Sequence, residues 1–334
     1  MSDRHVLPPL TMQHVVTLTL NPAIDKSTSV PQLVPEQKLP CAPPRVEPGG
    51  GGINVARGLQ RLGLQARAVF VAGGPTGEAL QQLMTLENLA QHPVPTAAWT
   101  RENLTVVDAS NNQQFRFGMP GTTVTAEEQA QVLATLAALS PRPDVLVVSG
   151  SLPQGVAPTY MGDVARWARQ VGARLIVDTS GEALRSAVAE GVYLLKPNLG
   201  ELAKLAGMPT LDSASAAAAA QMLIAQGRCK IVVVSLGPVG ACLVTSDVVE
   251  HIAAPAVKKQ STVGAGDSMV AGLVFALCQG RPVREAVRLG VACGTAATMN
   301  PGTELFHTAD ADKLFQWLLQ TMPATVPGIH SSAS

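Results

Sequence analysis

The feature that most constrains this chain is an alternation of short, nearly continuous apolar runs with longer helix-forming stretches. The runs are Val15–Leu20, Ala66–Ala72, Asp144–Ser149, Arg174–Asp178 and Lys230–Ser235. A strand covered on both faces reads this way because neither side meets water. Between the runs lie stretches of helical period: Ile53–Leu62, Glu78–Glu87, Ala126–Leu139, Tyr160–Gln170, Ser213–Gln226 and Asp267–Cys278. This order predicts an α/β fold, an open and mostly parallel sheet flanked by helices. Such sheets bind ligands beyond the carboxyl ends of their strands. Asn21, Ser149, Asp178, Asn198 and Ser235 each follow an apolar run at that end.

Two stretches break the alternation. Residues 27–48 and 103–118 are rich in Thr, Val, Pro and Gln and lack helical period. The second reads as a hairpin turning near Asn111-Asn112. They predict a small projecting sheet, with lid segments at about 27–48 and 95–120, over a site or between subunits. The body is expected to be one domain over 14–324, with flexible tails at 1–13 and 325–334.

Charge narrows the partners. The chain has 24 basic and 24 acidic residues and a net charge of zero, with no basic cluster. That argues against nucleic acid. No window reaches the ~18 apolar residues of a membrane span. Five scattered cysteines read as free thiols, and the first residues lack a signal-peptide run, so a cytoplasmic location is expected.

The chemistry concentrates in Thr262-Val263-Gly264-Ala265-Gly266-Asp267-Ser268. Small residues opening a helix let its unpaired N–H groups approach an anion, as phosphoryl transfer requires. Asp267 in the first turn is placed to accept the proton of an attacking hydroxyl, or simply to favour the helix dipole. Pro48 leads four glycines, Gly49 to Gly52, into a second helix carrying Asn54. The spacing is not that of a dinucleotide site, and no Walker-type phosphate loop exists. An ATP site here would need another architecture. Asp25 is read as a residue just past a strand end, suited to sugar hydroxyls or to a turn. Asn198 and Glu201, three apart at a helix start, would order the water shell of Mg²⁺ or form a capping box; both roles can hold together. Arg101 and Lys38 suit a phosphate.

In this combination and order, Gly49–Gly63 and Lys258–Phe275 resemble the two signature regions of the PfkB (ribokinase-like) sugar-kinase family, and the likeness spans nearly the whole chain. Trp99–Leu104, Phe115–Gly121, Ser149–Gly155 and Gln260–Met269 are similar to the branch that phosphorylates fructose 6-phosphate at O1. Relatives acting on fructose 1-phosphate or tagatose 6-phosphate typically carry Gly-Gly-Lys-Gly where this chain has Gly51. Those sugars stay as alternatives, and a non-catalytic sugar-phosphate-binding protein as a remote one.

The resemblance implies a role for each position. Asp267 would be the general base, with Gly264, Ala265 and Gly266 forming the anion hole. Asp25, Gly49, Gly50 and Asn54 would hold the sugar, and Lys38, Arg101 and Ser151 its phosphate end. Lys196, Asn198, Ser235 and Gly237 would meet ATP with Gly264 and Gly266, and Asn300 would lie close to the adenine. Glu201 would hold Mg²⁺ through water, and K⁺ would bind near Ser261, Val263, Asn300 and Gly302. The small sheets would pair across a homodimer. Three departures stand out: Glu304 where a basic residue is expected, Pro40 near Lys38, and Gly200 inside the Asn198–Glu201 segment.

Overall fold

The structure, a computed structural model, describes residues 14–321. The expected tails, and 322–324 of the expected domain, lie outside the described residues. Among the described residues, thirteen strands and ten α-helices follow one another. The first half contains β1 (Val15–Thr19), β2 (Ala23–Val30), β3 (Arg45–Gly49), α1 (Gly51–Arg61), β4 (Arg67–Ala72), α2 (Gly74–Leu86), β5 (Ala90–Pro95), β6 (Arg101–Asp108), β7 (Gln113–Phe117) and α3 (Ala126–Ala138). The second contains β8 (Val145–Ser149), α4 (Tyr160–Gln170), β9 (Arg174–Asp178), α5 (Gly181–Ala189), β10 (Val192–Leu195), α6 (Leu199–Ala206), α7 (Ser213–Ala225), β11 (Cys229–Ser235), β12 (Gly240–Val244), β13 (Val249–Ala253), α8 (Ala265–Cys278), α9 (Val283–Thr298) and α10 (Thr308–Thr321).

The main sheet runs β13-β12-β11-β10-β9-β8-β1-β4-β5. From β5 to β11 all pairings are parallel, and β12 and β13 close one edge antiparallel. Successive residues of each strand face opposite cores. On β11, Ile231 and Val233 join one cluster with α1, α2, α8, α9 and α10, while Val232 and Val234 join the other with α3 to α7. Burial on both faces is why these strands read as apolar runs. Burying an aliphatic side chain contributes about 1.5–3 kcal/mol, so this double packing is the main source of stability.

After β1 the chain crosses on the α1 face to β4, and after β8 it crosses on the α4 face to β9. The two crossovers leave a crevice beyond the carboxyl ends of β1 and β8, the switch point where such folds bind ligands.

The second sheet has the order β3-β2-β6-β7. Its central pair, β2 and β6, is parallel, and the outer pairs are antiparallel. The expected hairpin is present between β6 and β7, with Asn112 at φ 60° in its turn. The lid boundaries differ from expectation. The sheet starts at Ala23 rather than 27, and residues 31–44 form no strand. Asp25 therefore lies inside β2, not in a turn after β1.

Among the described residues, no helix is long and apolar enough to cross a membrane. Helix α9 had no sequence signal because residues 286–294 are all buried, which removes the polar face that reveals a helix.

Candidate active site

The crevice is built around Asp267. Gly264 adopts φ 73°, a left-handed conformation that favours glycine, and lets α8 begin at Ala265 directly under the crevice. The first N–H groups of α8 have no earlier carbonyl to bond, so they point out of the helix end. Asp267 sits in this first turn, half-buried. Its Oδ2 accepts from Asn54 Nδ2 of α1 at 2.9 Å, and its Oδ1 accepts from Ser149 Oγ of β8 at 3.2 Å. Burial, with the nearby Asp178, pushes its carboxyl up to about 7 despite these bonds and Lys196. A carboxylate titrating there suits proton abstraction at neutral pH.

The glycine run is explained by crowding. A Cβ at Gly49 would overlap the Asp25 carboxylate, and one at Gly51 would lie 2.7 Å from the Gly150 N. Any side chain at either place would push α1, and Asn54 with it, away from Asp267.

One side of Asp267 is cationic and anionic by turns. Lys196 is 6% exposed and pairs with Asp178 Oδ1 at 3.0 Å. Burial opposes its charge, yet Asp178, Asp267 and Glu201 together hold the ammonium above its ordinary value. Asn198 and Glu201 form the reciprocal capping box of α6, each side chain on the other's N–H at 2.9 Å. Glu201 still lines a cavity of about 230 Å³ with Ser149, Asp178, Thr179 and Asp267. Magnesium takes oxygen donors, commonly one or two carboxylates beside substrate phosphates, so these residues fit it. A second cavity of about 580 Å³ opens beyond Gly266, lined by Lys196, Ser235, Gly237, Pro255, Val257 and Met269 among others. It has the size and largely apolar wall of a small-ligand site.

The opposite side belongs to the small sheet. Asp25 Oδ1 accepts from Asn103 Nδ2 at 2.8 Å, across the β2–β6 pairing. Burial raises the Asp25 carboxyl above its usual range, against Asn103, Arg101 and Arg57. Ser151 Oγ accepts from Asn21 Nδ2 at 3.0 Å and is exposed at the crevice rim.

Arg101, Asn300 and Lys38 have surroundings that the sequence does not show. The Arg101 guanidinium donates to the backbone carbonyls of Asn21, Pro22 and Met119 at 3.1–3.4 Å, so its fork clamps the small sheet to the loop after β1. Asn300 is absent from the lining of the larger cavity; its buried Nδ2 donates to Leu305 O at 2.8 Å and shapes its own loop. Lys38 lies exposed in the segment between β2 and β3. Of the expected potassium residues, Ser261, Val263 and Gly302 do meet. Ser261 Oγ donates to Gly302 O at 2.6 Å and accepts from Val263 N at 3.2 Å. Glu304 is balanced by Arg45 Nη1 at 2.6 Å and His307 Nε2 at 3.2 Å.

Asp178, Asn103 and the wall from Pro255 to Val257 were not assigned roles from sequence. Asp178 alone had a signal, as a polar residue ending an apolar strand. A shallow depression of about 600 Å³ by Arg67 and His92 lies at the opposite ends of β4 and β5, where Arg67 donates to Ser140 O and Pro141 O.

Comparison with known proteins agrees with this fold. The family model described as pfkB family carbohydrate kinase matches residues 14–309. The chain is 44% identical over 308 residues to the ATP-dependent 6-phosphofructokinase isozyme 2 of Escherichia coli, covering 92% of this chain and 99% of that one. Crystal structures of Escherichia coli phosphofructokinase-2 superpose with a TM-score of 0.87 for a complex with potassium and 0.86 for one with fructose-6-phosphate. Their identities are 44% and 42%, each over 92% of this chain and 99% of theirs. A 1-phosphofructokinase of Xanthomonas campestris is 36% identical over 78% of this chain and 83% of its own length. A helix start aimed into a switch-point crevice, a carboxylate beside it and a match over nearly the whole chain lead to one assignment: the chain belongs to the pfkB family of carbohydrate kinases, with the ribokinase-like fold.

Proposed function

We propose that the protein transfers the γ-phosphoryl group of ATP to O1 of fructose 6-phosphate, giving fructose 1,6-bisphosphate and ADP. The observation that carries this reading is the seat of Asp267, joined to the sugar-side Asn54 and standing beside the nucleotide-side Lys196 and the α8 N-terminus. The choice of sugar draws on the 6-phosphofructokinase relative, which is more similar than the 1-phosphofructokinase relative.

Asp25, Asn54 and the Gly49-Gly50 backbone hold the sugar so that its 1-hydroxyl meets Asp267. The carboxylate takes the hydroxyl proton as the oxygen bonds to phosphorus and the ADP oxygen leaves in line. The N–H groups of Gly264, Ala265 and Gly266 face the charge on the transferring group. Lys196 supports the phosphates, helped by Asn198, Ser235 and Gly237, and the larger cavity takes the base. Glu201 and Asp178 would hold a Mg²⁺ ion, which supplies charge neutralisation on the phosphates. Ser261, Val263 and Gly302 would hold K⁺ through their oxygens. The outer face of the small sheet leaves Val46, Phe117 and Met119 exposed, the surface we assign to a homodimer.

The test is ADP release from Mg-ATP with K⁺ across fructose 6-phosphate, tagatose 6-phosphate, fructose 1-phosphate and fructose. The highest kcat/KM is expected on fructose 6-phosphate. A clear preference for another sugar would replace the substrate and leave the kinase chemistry in place.

A further inference from the structure

Behind Asn54 lies a charged cluster that touches neither cavity. Arg57, one turn further along α1, is 3% exposed. Every N–H of its guanidinium is engaged. Nε and Nη2 take the two oxygens of Glu87 at 2.7 Å each, and Nη2 also reaches Glu47 Oε1 at 3.0 Å. Nη1 divides between Pro48 O at 3.1 Å and Asn54 Oδ1 at 3.3 Å. Glu47 is itself fixed by Thr303 Oγ1 at 2.7 Å.

This arrangement determines which way the Asn54 amide faces. A guanidinium has donors and no acceptor, and an ionised carboxylate has acceptors and no donor. Asn54 stands between one of each. Its oxygen must turn to Arg57 and its NH₂ to Asp267, and the flipped amide would set donor against donor and acceptor against acceptor.

We propose that Arg57 is a positioning residue for phosphoryl transfer: it locks the Asn54 amide so that Nδ2 donates to Asp267 Oδ2, and Oδ1, which accepts only from Ser149 Oγ, keeps a lone pair to receive the sugar proton. Pro48 O on the same guanidinium ties the glycine run to this lock, so one side chain sets both the sugar cradle and the base. The proposal rests on the reading of Asp267 as the base.

Arg57→Lys tests it, because the charge stays while the fork is lost. Two readouts are used: the pH profile of kcat, and the carboxyl ¹³C NMR titration of Asp267, recognised as the resonance absent from Asp267→Asn. The other groups facing Asp267, namely Asp178 at the end of β9, Lys196 after β10 and Ser149 on β8, are unchanged. Loss of a hydrogen bond to the charged form should move the Asp267 titration up by about one unit. From about 7, that cuts the ionised fraction at neutral pH, and with it kcat, about fivefold. Asn54→Ala should produce the same displacement, and the double variant no more than either alone.

Glu87→Gln is the second variant, since Glu87 is partly exposed and its loss threatens folding less. It should move the titration in the same direction by less. An Asp267 titration unchanged in both Arg57→Lys and Glu87→Gln overturns the proposal, as does a full additional displacement in the double variant. If Asp267→Asn still turns over while the titration moves as expected, the base assignment has failed and the positioning has not.

Discussion

The two sheets of this molecule are stabilised in different ways, and the active site takes one wall from each. In the main sheet β1 and β8 are buried at every position, gripped by helices on both faces. In the small sheet β7 is largely exposed and β2 only partly covered. Directed polar contacts hold it to the body instead: Arg101 on three carbonyls, and Arg45 on Glu304. The groups we assign to the chemistry, Asp267, Asp178 and Lys196, are mounted on the packed body. Asp25, which we assign to the sugar, and its partner Asn103 ride on the small sheet. Reacting groups must be held within a few tenths of an ångström, and dense packing does that. A sugar must enter and leave, and a lightly packed wall permits it. Changes on the body should therefore appear in kcat, and changes on the small sheet in KM.

The strongest test of that division is Asp267→Asn. Removing a positioned base should lower kcat ~10²–10⁴-fold with little change in sugar KM. Stability should move the other way. The Asp267 carboxyl titrates near 7 in the fold against 3.8 in an open chain. Between those values the folded state holds the proton more tightly, so the native protein loses stability as pH rises from about 4 to 7. Asparagine removes that loss, and the variant should melt higher than the parent at pH 7 and be less pH-sensitive across this window. Near-normal turnover would detach Asp267 from the mechanism, and a fall in melting temperature at pH 7 would contradict the raised carboxyl.

Next in size is Asp25→Asn. The Asn103 bond and the seat against Gly49 survive in outline, while a charged acceptor for sugar hydroxyls is lost. A hydrogen bond to a charged group is worth about 1.5–3 kcal/mol, so kcat/KM for the sugar should drop ~10–100-fold, mostly through KM. ATP KM should hold. Steady-state kinetics varying each substrate in turn decide it; a loss confined to kcat would put Asp25 on the chemical side of the division.

The same contrast explains what could be read before the structure. Strands of the packed body were legible as apolar runs, and the polar residues ending them, Ser149, Asp178 and Ser235, already pointed to the crevice. Gly264 and Asp267 were legible because a glycine–acid pair opening an apolar helix has few physical uses. The small sheet was harder. Asp25 read as a residue just past a strand end, suited to sugar hydroxyls or to a turn, and its place inside β2 was hidden because its partners Gly49 and Asn103 are far off in sequence. The carbonyl partners of Arg101 and Asn300 were not legible, because no residue pattern reveals a side-chain donor bonded to backbone. Arg57 gave no signal at all, since an arginine on a helix looks the same whether solvated or saturated by Glu47 and Glu87.

The smallest effect should come from the seam between the sheets, at Glu304→Gln. Arg45 is about half exposed, and Glu304, also facing His307, is nearly buried. An ion pair with one end in solvent contributes about 0.2–1 kcal/mol and is screened by salt. The variant should melt slightly lower than the parent in dilute buffer, and the difference should shrink near 1 M salt. Its effect on kcat should be small and its effect on sugar KM measurable, because the Arg45 end lies on β3, two register positions along from Glu47, the partner of Asp25 across β2 and β3. If kcat falls instead while KM holds, the seam transmits to the packed body, and the small sheet is part of the catalytic frame rather than a wall leaning against it.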